Sequence, residues 1–154
     1  MVKTIVVDID GTIANIEHRL KFVENKPKDW AKFYSEEQML LDKPIENNIA
    51  IVADLGISFH IVFCTGRPER LREITENFLN FYLEKEYHSE NFDFKLLMRK
   101  DGDKRADDII KPELLENAGL RPDNVLVILE DRVRNVVNFR KLGFNVFQVA
   151  EGNF

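Results

Sequence analysis

The sequence predicts one α/β domain, residues 1–154, built on a central parallel sheet of about five strands. The first observation is the length, because 154 residues are enough for a single domain with a sizeable core. The second is a set of short, nearly continuous apolar runs, typical of strands that helices cover on both faces of a parallel sheet. The third is that apolar residues recur at helical spacing in the segments between those runs. Together they predict a doubly wound arrangement in three layers.

The strands and helices of this domain are predicted from local patterns of apolar and turn-forming residues. The predicted strands are residues 3–8, 57–64, 94–98, 124–130 and 144–149. The predicted helices are residues 44–55, 68–86 and 133–142. Pro44 and Pro68 stand at first-turn positions, where the missing N–H of proline costs nothing, and Gly56 and Gly143 follow the last turns.

One segment, residues 15–43, interrupts the alternation of strands and helices. It contains no strand pattern and predicts a small cap of two short helices, inserted after the first strand. In the second of these, Trp30, Phe33 and Tyr34 recur at helical spacing. Such a stripe is typical of a packing face, and the alternative is an aromatic surface that stacks on nucleic-acid bases.

Composition and charge exclude several classes of protein. Hydrophobic residues make up 44% of the chain and charged residues 32%, as in globular rather than disordered proteins. The longest apolar run, about five residues, is far shorter than a membrane span. The net charge of −5 disfavours broad nucleic-acid binding, so any such contact is expected to be local. A single cysteine and the lack of a signal-peptide pattern predict a cytoplasmic protein without an internal disulfide.

Acidic residues collect where the predicted strands end. Asp8 and Asp10 follow the first strand, Glu130 and Asp131 the fourth, and Thr65 the second. The ligand crevice of an open parallel sheet lies at these carboxyl ends. Buried carboxylates are costly without a positive partner, and a site with only oxygen ligands suits Mg²⁺. The sequence therefore predicts a magnesium site at this edge of the sheet.

The same residues suit phosphoryl transfer. Asp8 can attack phosphorus while the metal and Lys111 neutralise the charge between the carboxylate and a phosphate dianion. Asp10 can protonate the leaving oxygen, and Thr65 with the backbone N–H groups after it can hold a phosphoryl oxygen. Lys111 precedes Pro112, which predicts a helix that begins at the proline and excludes the lysine.

Four segments resemble, in order, the motifs of the haloacid dehalogenase (HAD) superfamily of aspartate-nucleophile phosphatases. They are DIDGTIA (8–14), CTGRP (64–68), Lys111 and EDR (130–132). Residues 96–113 and 144–154 further resemble the 3′-phosphatase domain of the polynucleotide kinase/phosphatase of T-even bacteriophages. The resemblance implies a HAD-like Rossmannoid fold, an Mg²⁺ cofactor, a phosphoaspartate intermediate and phosphorylated nucleic-acid ends as substrate. A nucleotidase or other small-molecule phosphatase, and a non-catalytic phosphate-binding module, remain alternatives.

This resemblance assigns roles to individual residues. Asp8 is the expected nucleophile and metal ligand, Asp10 the acid/base that also gives its main-chain oxygen to the metal, and Asp131 the third metal ligand. Glu130, where the motif usually has aspartate, is expected beside the metal without binding it directly. The residues expected to hold the phosphoryl group or the substrate are Thr65, Gly66, Arg67, Arg19, Asp107 and Lys111.

Three further expectations concern the substrate and the rest of the molecule. Arg19 and Arg67 are placed at the rim of the crevice, on the phosphate next to the scissile one. Asp107 lies in a charged segment predicted as a loop. No GxxxxGK[ST] phosphate loop occurs among the seven glycines, so no kinase domain is expected in this chain, and the sequence leaves the oligomeric state open.

Overall fold

The computed structural model of the chain describes residues 2–88 and 91–154. No described helix is long and apolar enough to cross a membrane. In chain order the elements are β1 (Thr4–Val7), β2 (Ala14–Asn15), α1 (Glu17–Leu20), α2 (Trp30–Phe33), α3 (Glu36–Met39), β3 (Lys43–Pro44), α4 (Glu46–Leu55), β4 (His60–Pro68), a 3₁₀ turn (Glu69–Leu71), α5 (Arg72–Tyr87), β5 (Phe94–Arg99), α6 (Asp107–Asn117), β6 (Val125–Arg132), α7 (Val133–Lys141) and β7 (Val146–Gly152).

Five strands form one parallel sheet in the order β5-β4-β1-β6-β7, which confirms the predicted central sheet. β1 lies in the middle, where Val7 pairs with Phe63 of β4 on one side and with Leu129 of β6 on the other. The side chains of β1 and most of those of β4 and β6 are buried, as expected for central strands covered on both faces, whereas most of the edge strand β7 is exposed. The register brings the carboxyl ends of β1, β4 and β6 side by side.

Two helices begin later than the sequence patterns predict. Pro44 does not start α4, because it pairs with Ala14 in the antiparallel β2–β3 ribbon and the helix begins at Glu46. Pro68 does not start α5, because β4 continues through it and the 3₁₀ turn comes next. In both places the fixed φ of proline suits extended backbone as well as a first helical turn.

Helix α6 corrects two predictions. The charged segment expected to be a loop contains the first turn of this helix, which begins at Asp107, and Lys111 lies within it. Pro112 is therefore an interior residue and has no N–H to donate to the carbonyl of Asp108. Nδ2 of Asn138, on α7, donates to that oxygen at 2.6 Å. A neighbouring helix thus satisfies the group that proline leaves free.

The cap insertion contains three short helices, α1 to α3, rather than two, and the β2–β3 ribbon closes its base. Phe33 is completely buried and belongs to the main core, with the rings of Trp30 and Tyr34 packed around it. The packing interpretation of the aromatic stripe therefore holds for Phe33. Trp30 remains 37% exposed.

Candidate active site

A crevice opens where the carboxyl ends of β1, β4 and β6 meet the first turns of α6. Its free volume is about 10 Å³, roughly the room that one water needs. Eight of its lining residues were expected from the sequence, namely Asp8, Asp10, Thr65, Gly66, Asp107, Lys111, Glu130 and Asp131. The other four are Tyr34 from the cap and Arg132, Asn135 and Phe154.

The first group of charges in this crevice, here called the nucleophile cluster, consists of Asp8, Lys111, Glu130 and Asp131. Nζ of Lys111 donates to Oδ1 of Asp8 and to Oε2 of Glu130, both at 2.7 Å. Oxygens of the three carboxylates lie within 4.8 Å of one another, and all three residues are buried. The side chain of Thr12 donates to Oδ2 of Asp8 at 3.1 Å. Three carboxylates therefore share one ammonium group.

The pKa shifts in this cluster show its surplus of negative charge. Burial raises the pKa of Asp8, and the Glu130 carboxylate raises it further although Lys111 lowers it. Burial and Glu130 raise the pKa of Asp131 to about 7. Burial acts to lower the pKa of Lys111, but the Asp8 and Glu130 carboxylates raise it well above its usual value. Surplus charge on oxygen donors alone is what a hard divalent cation requires, so these residues fit Mg²⁺.

Glu130 accepts more hydrogen bonds than a position merely beside the metal requires. Its Oε1 accepts from the backbone N–H groups of Asp131 and Arg132, each at 3.1 Å. Its Oε2 accepts from Lys111 and, at 3.3 Å, from Nδ2 of Asn135. The extra methylene thus places this carboxylate on the lysine and under the backbone of the strand end.

The second group, here called the arginine cluster, consists of Asp10, Asp42, Arg19 and Arg67. Oδ1 of Asp10 accepts from Nη2 of Arg19 at 2.6 Å and from Nε of Arg67 at 3.0 Å. Asp42 accepts from Nε of Arg19 at 2.8 Å and from Nη2 of Arg67 at 2.7 Å. Burial acts to raise the pKa of Asp10, but Arg19 and Arg67 hold it well below its usual value. In this cluster the charges of two carboxylates therefore balance those of two guanidinium groups.

The placement of Arg19 and Arg67 at the rim of the crevice is wrong. Arg19 is 0% exposed and Arg67 is 1% exposed, and neither lines the crevice. Sequence reasoning missed Asp42, which lies at the end of the cap in no motif. The signal that could have found it is charge balance, because two buried guanidinium groups need more than one carboxylate. The structure places both arginines on Asp10, and their contact with substrate stays a prediction.

Asp107 sits at the opposite wall of the crevice, between two arginines. Nη1 of Arg132 donates to its Oδ2 at 3.1 Å, and Arg99 donates to its Oδ1. Gly66 allows this approach, since a Cβ on it would lie 2.5 Å from Oδ1 of Asp107. The guanidinium of Arg132 also lies over the ring of Phe154, 5.0 Å from its centre. The loop after β4 and the start of α6 are thereby held together.

Thr65 and Cys64 occupy the end of β4 beside the crevice. Oγ1 of Thr65 accepts from the backbone N–H of Arg67 at 3.1 Å, so its own hydroxyl hydrogen can point towards a bound group. Cys64 is buried, and burial raises the pKa of its thiol to about 12. A thiol of this kind is not a nucleophile near neutral pH. The carboxylate of Asp8 is a better nucleophile than this thiol.

Comparison with known proteins places this geometry in a family. A family model described as the polynucleotide kinase PNKP phosphatase domain matches residues 2–154. A chain of the Pnkp1/Rnl/Hen1 RNA repair complex is 25% identical with a TM-score of 0.71, over 99% of this chain and 44% of that one. A predicted phosphatase from Clostridium acetobutylicum is 18% identical with a TM-score of 0.71, over 99% of this chain and 86% of that one.

A third solved structure is a HAD family enzyme from Bacteroides thetaiotaomicron in complex with magnesium and inorganic phosphate. It is 13% identical with a TM-score of 0.57, over 100% of this chain and 97% of that one. This enzyme and the Clostridium protein show the shared fold. The present chain spans less than half the length of its match in the RNA repair complex. Because the family model matches nearly the whole sequence and the fold is that of HAD hydrolases, the chain belongs to the PNKP phosphatase domain family of the HAD superfamily.

Proposed function

We propose that this protein is an Mg²⁺-dependent phosphomonoesterase that removes 3′-phosphate groups from nucleic-acid ends through a phosphoaspartate. The observation that carries the proposal is the nucleophile cluster. The Asp8 carboxylate lies at the end of the central strand, held by Lys111, in a crevice that also contains Thr65. Negative charge exceeds positive charge there, so the site is built to receive a cation.

In the first step, a carboxylate oxygen of Asp8 attacks phosphorus. The Asp8 oxygen–phosphorus bond forms, and the bond between phosphorus and the ester oxygen breaks. Asp10 gives its proton to that oxygen, which leaves as a hydroxyl group. Lys111 and Thr65 hold the phosphoryl oxygens and stabilise the charge on them.

In the second step, water attacks the phosphorus of the phosphoaspartate. Asp10, ionised by the first step, takes the proton of the water, the bond to Asp8 breaks and inorganic phosphate leaves. Among the described residues, all hydrogen bonds to the Asp10 side chain go to Oδ1, which leaves Oδ2 for this proton. Arg19 and Arg67 favour the ionised form that the second step needs. A phosphate dianion bound beside Asp10 favours the protonated form that the first step needs.

Asp8, Asp131 and the main-chain oxygen of Asp10 would hold Mg²⁺, with Glu130 orienting Lys111 beside them. When bound, the ion supplies positive charge that allows a carboxylate to approach a phosphate dianion. This assignment is supported by the three clustered carboxylates and by the raised pKa of Asp131, which falls when a cation binds next to it.

A nucleic-acid end is supported as substrate by the family and by the RNA repair complex that contains a similar chain. The crevice offers one guanidinium for a second phosphate, that of Arg132, whose side chain lines it. An oligonucleotide carries such a phosphate next to the scissile one, whereas a mononucleotide does not. The proposal locates the protein in the cytoplasm, as its single cysteine predicts.

The test is a substrate panel measured by phosphate release, with Mg²⁺ or with EDTA. It compares a 3′-phosphorylated oligonucleotide, a 5′-phosphorylated oligonucleotide, and 3′- and 5′-mononucleotides, in DNA and RNA forms. One charge-assisted contact is worth about 1.5–3 kcal/mol, so the 3′-phosphorylated oligonucleotide should exceed the 3′-mononucleotide by roughly 10- to 150-fold in kcat/KM. Equal values would indicate a small-molecule phosphatase, and no turnover of any ester would indicate a phosphate-binding module.

A pair of neighbouring variants shows whether Arg132 reads the second phosphate. Arg132→Ala should lower the preference for the oligonucleotide and make it less sensitive to salt. Arg134→Ala is the matched control, because Arg134 is largely exposed, pairs with Asp108 and does not line the crevice. If both variants keep the wild-type preference, the second phosphate is bound elsewhere.

A further inference from the structure

The carboxylate of Asp131 lies against the main chain at two glycines from opposite ends of the sequence. A Cβ built on Gly11 would be 2.1 Å from Oδ2 of Asp131, and one built on Gly152 would be 2.5 Å from the same atom. Neither contact is possible for a real Cβ, which is normally more than 3.0 Å from such an atom. The absence of side chains at both positions therefore creates the space that this oxygen occupies.

The two glycines differ in what their backbone requires. Gly11 has φ +85°, a conformation that favours glycine whatever its neighbours are. Gly152 is the last residue of β7, pairs with Arg132 of β6 and lies outside that region of φ. Backbone conformation thus permits other residues at 152, and contact alone excludes them. A Cβ there would also lie 2.9 Å from Cα and 3.0 Å from the backbone nitrogen of Arg132.

Other contacts fix Asp131 in the same orientation. Oγ1 of Thr12 lies 3.4 Å from its Oδ1. Nε2 of Gln148, from β7, donates to its main-chain oxygen at 3.3 Å. The residue is 3% exposed, so neighbouring atoms enclose most of its surface.

We infer that Gly152 is a positioning residue for the metal-binding carboxylate of Asp131. The bare backbone at the end of β7 leaves room for Oδ2 of Asp131, so that this carboxylate keeps an oxygen within 4.8 Å of those of Asp8 and Glu130. A methyl group at 152 forces either this carboxylate to rotate out of the cluster or the backbone of residues 131–132 to shift. The inference rests on the proposed function, in which Asp131 is a metal ligand. The edge strand β7, which supplies no ligand, then sets the affinity for the cation.

The experiment compares Mn²⁺ binding by the wild type, Gly152→Ala and Gly119→Ala, followed by the electron paramagnetic resonance signal of free Mn²⁺. Changes that misorient a metal ligand typically weaken binding 10- to 100-fold, and we expect a rise in Kd of this size for Gly152→Ala. Gly119→Ala is the control. It adds the same methyl group where φ is +74° and nothing lies within 4 Å, so it strains the backbone without touching the site. Its Kd for Mn²⁺ should equal that of the wild type.

A second pair of variants tests whether the effect passes through Asp131. In an Asp131→Ala background, Gly152→Ala should cause no further loss of Mn²⁺ affinity, and its effect on melting temperature without metal should be smaller than in the wild type. If Gly152→Ala alone does not fold, a folded double variant supports a conflict with the carboxylate and an unfolded one contradicts it. Equal Mn²⁺ affinity for the wild type and Gly152→Ala overturns the inference. A wild type that binds no Mn²⁺ overturns instead the metal site of the proposed function.

Discussion

The nucleophile cluster and the arginine cluster begin two residues apart in the chain, at Asp8 and Asp10, yet they differ in charge balance. Both are buried and both join acids to bases through short hydrogen bonds. The nucleophile cluster has three carboxylates for one ammonium. The arginine cluster has two carboxylates for two guanidinium groups.

This difference separates the part of the site that lacks positive charge from the part whose charges already balance. Burial and the neighbouring Glu130 carboxylate raise the pKa of Asp8, whereas Arg19 and Arg67 lower the pKa of Asp10 in spite of its burial. A cation or a phosphate with its metal completes the first cluster. The second is already complete, and adding or removing a charge there leaves another charge buried without a partner.

The largest effect is expected from Asp8→Asn, which removes the nucleophile and leaves the arginine cluster unchanged. Phosphomonoester hydrolysis is so slow without a catalyst that enzymes supply up to about 10²¹-fold. We therefore expect no phosphate release from the 3′-phosphorylated oligonucleotide, with an unchanged circular dichroism spectrum. Asp103→Asn, at a position that does not line the crevice, is the control and should keep full activity. Hydrolysis by pure Asp8→Asn above a mock preparation would rule out the phosphoaspartate.

The next effect is on stability and comes from the arginine cluster. Asp42→Asn removes one acid whose side chain is fully buried and leaves guanidinium charge without a partner. Breaking a buried pair in this way costs about 3–5 kcal/mol, which urea unfolding would measure. Asp103→Asn removes a partly buried partner of Arg105, whose own side chain is half exposed, and should shift the unfolding curve much less. Equal curves for the two variants would mean that Asp42 does not balance the arginines.

A smaller effect on activity distinguishes Asp131, the proposed metal ligand, from Lys111, the cation proposed to bind the phosphate. Asp131→Asn should lower activity in a way that higher Mg²⁺ partly restores, because the change weakens metal binding. Lys111→Ala should show no such recovery, because it removes a charge directed at the phosphate. The measurement is kcat/KM against Mg²⁺ concentration for both variants. Identical Mg²⁺ dependence would contradict the division of roles within the nucleophile cluster.

A further effect is a pH dependence of stability without metal. The pKa of Asp131 is about 7 in the folded chain and ordinarily about 3.9 in an unfolded one. Between these values the folded state binds more protons, so stability should fall as pH rises from about 4 to about 7. Melting temperatures in EDTA would show this fall. Saturating Mg²⁺ or Asp131→Asn should flatten it, and a rise in melting temperature over this range in EDTA would contradict it.

Much of the fold and most of the residues that line the crevice could be predicted from the sequence, for one physical reason. Buried parallel strands are apolar along their whole length, so a carboxylate such as Asp8 or Asp131 after such a run marks its carboxyl end. Helix α6 escaped prediction because its first turn is charged and Pro112 interrupts its pattern. The proline is accommodated only through the side chain of Asn138, a contact between helices that no local pattern contains.

The residues that sequence analysis missed contact residues far away in the sequence, so no local motif contains these contacts. Asp42 meets Arg67 across the boundary between the cap and the core, and Tyr34 reaches the crevice from the cap. Gly152 meets Asp131 because β7 lies beside β6. These contacts depend on the final packing of segments that are far apart in sequence. A single sequence shows the residue types but not which of them meet.

The central position of β1 has a consequence for synthesis. Asp8 and Asp10 leave the ribosome before β4 (His60–Pro68) and well before β6 (Val125–Arg132), the two strands that flank β1. Contacts between such distant segments form slowly, and chains fold while they are made at about 5–20 residues per second. Until β6 emerges, β1 has at least one open edge of apolar residues. A nascent chain arrested before Val125 therefore exposes this apolar edge and is prone to aggregate, and a pulse of puromycin would release chains of that kind for chaperones to bind.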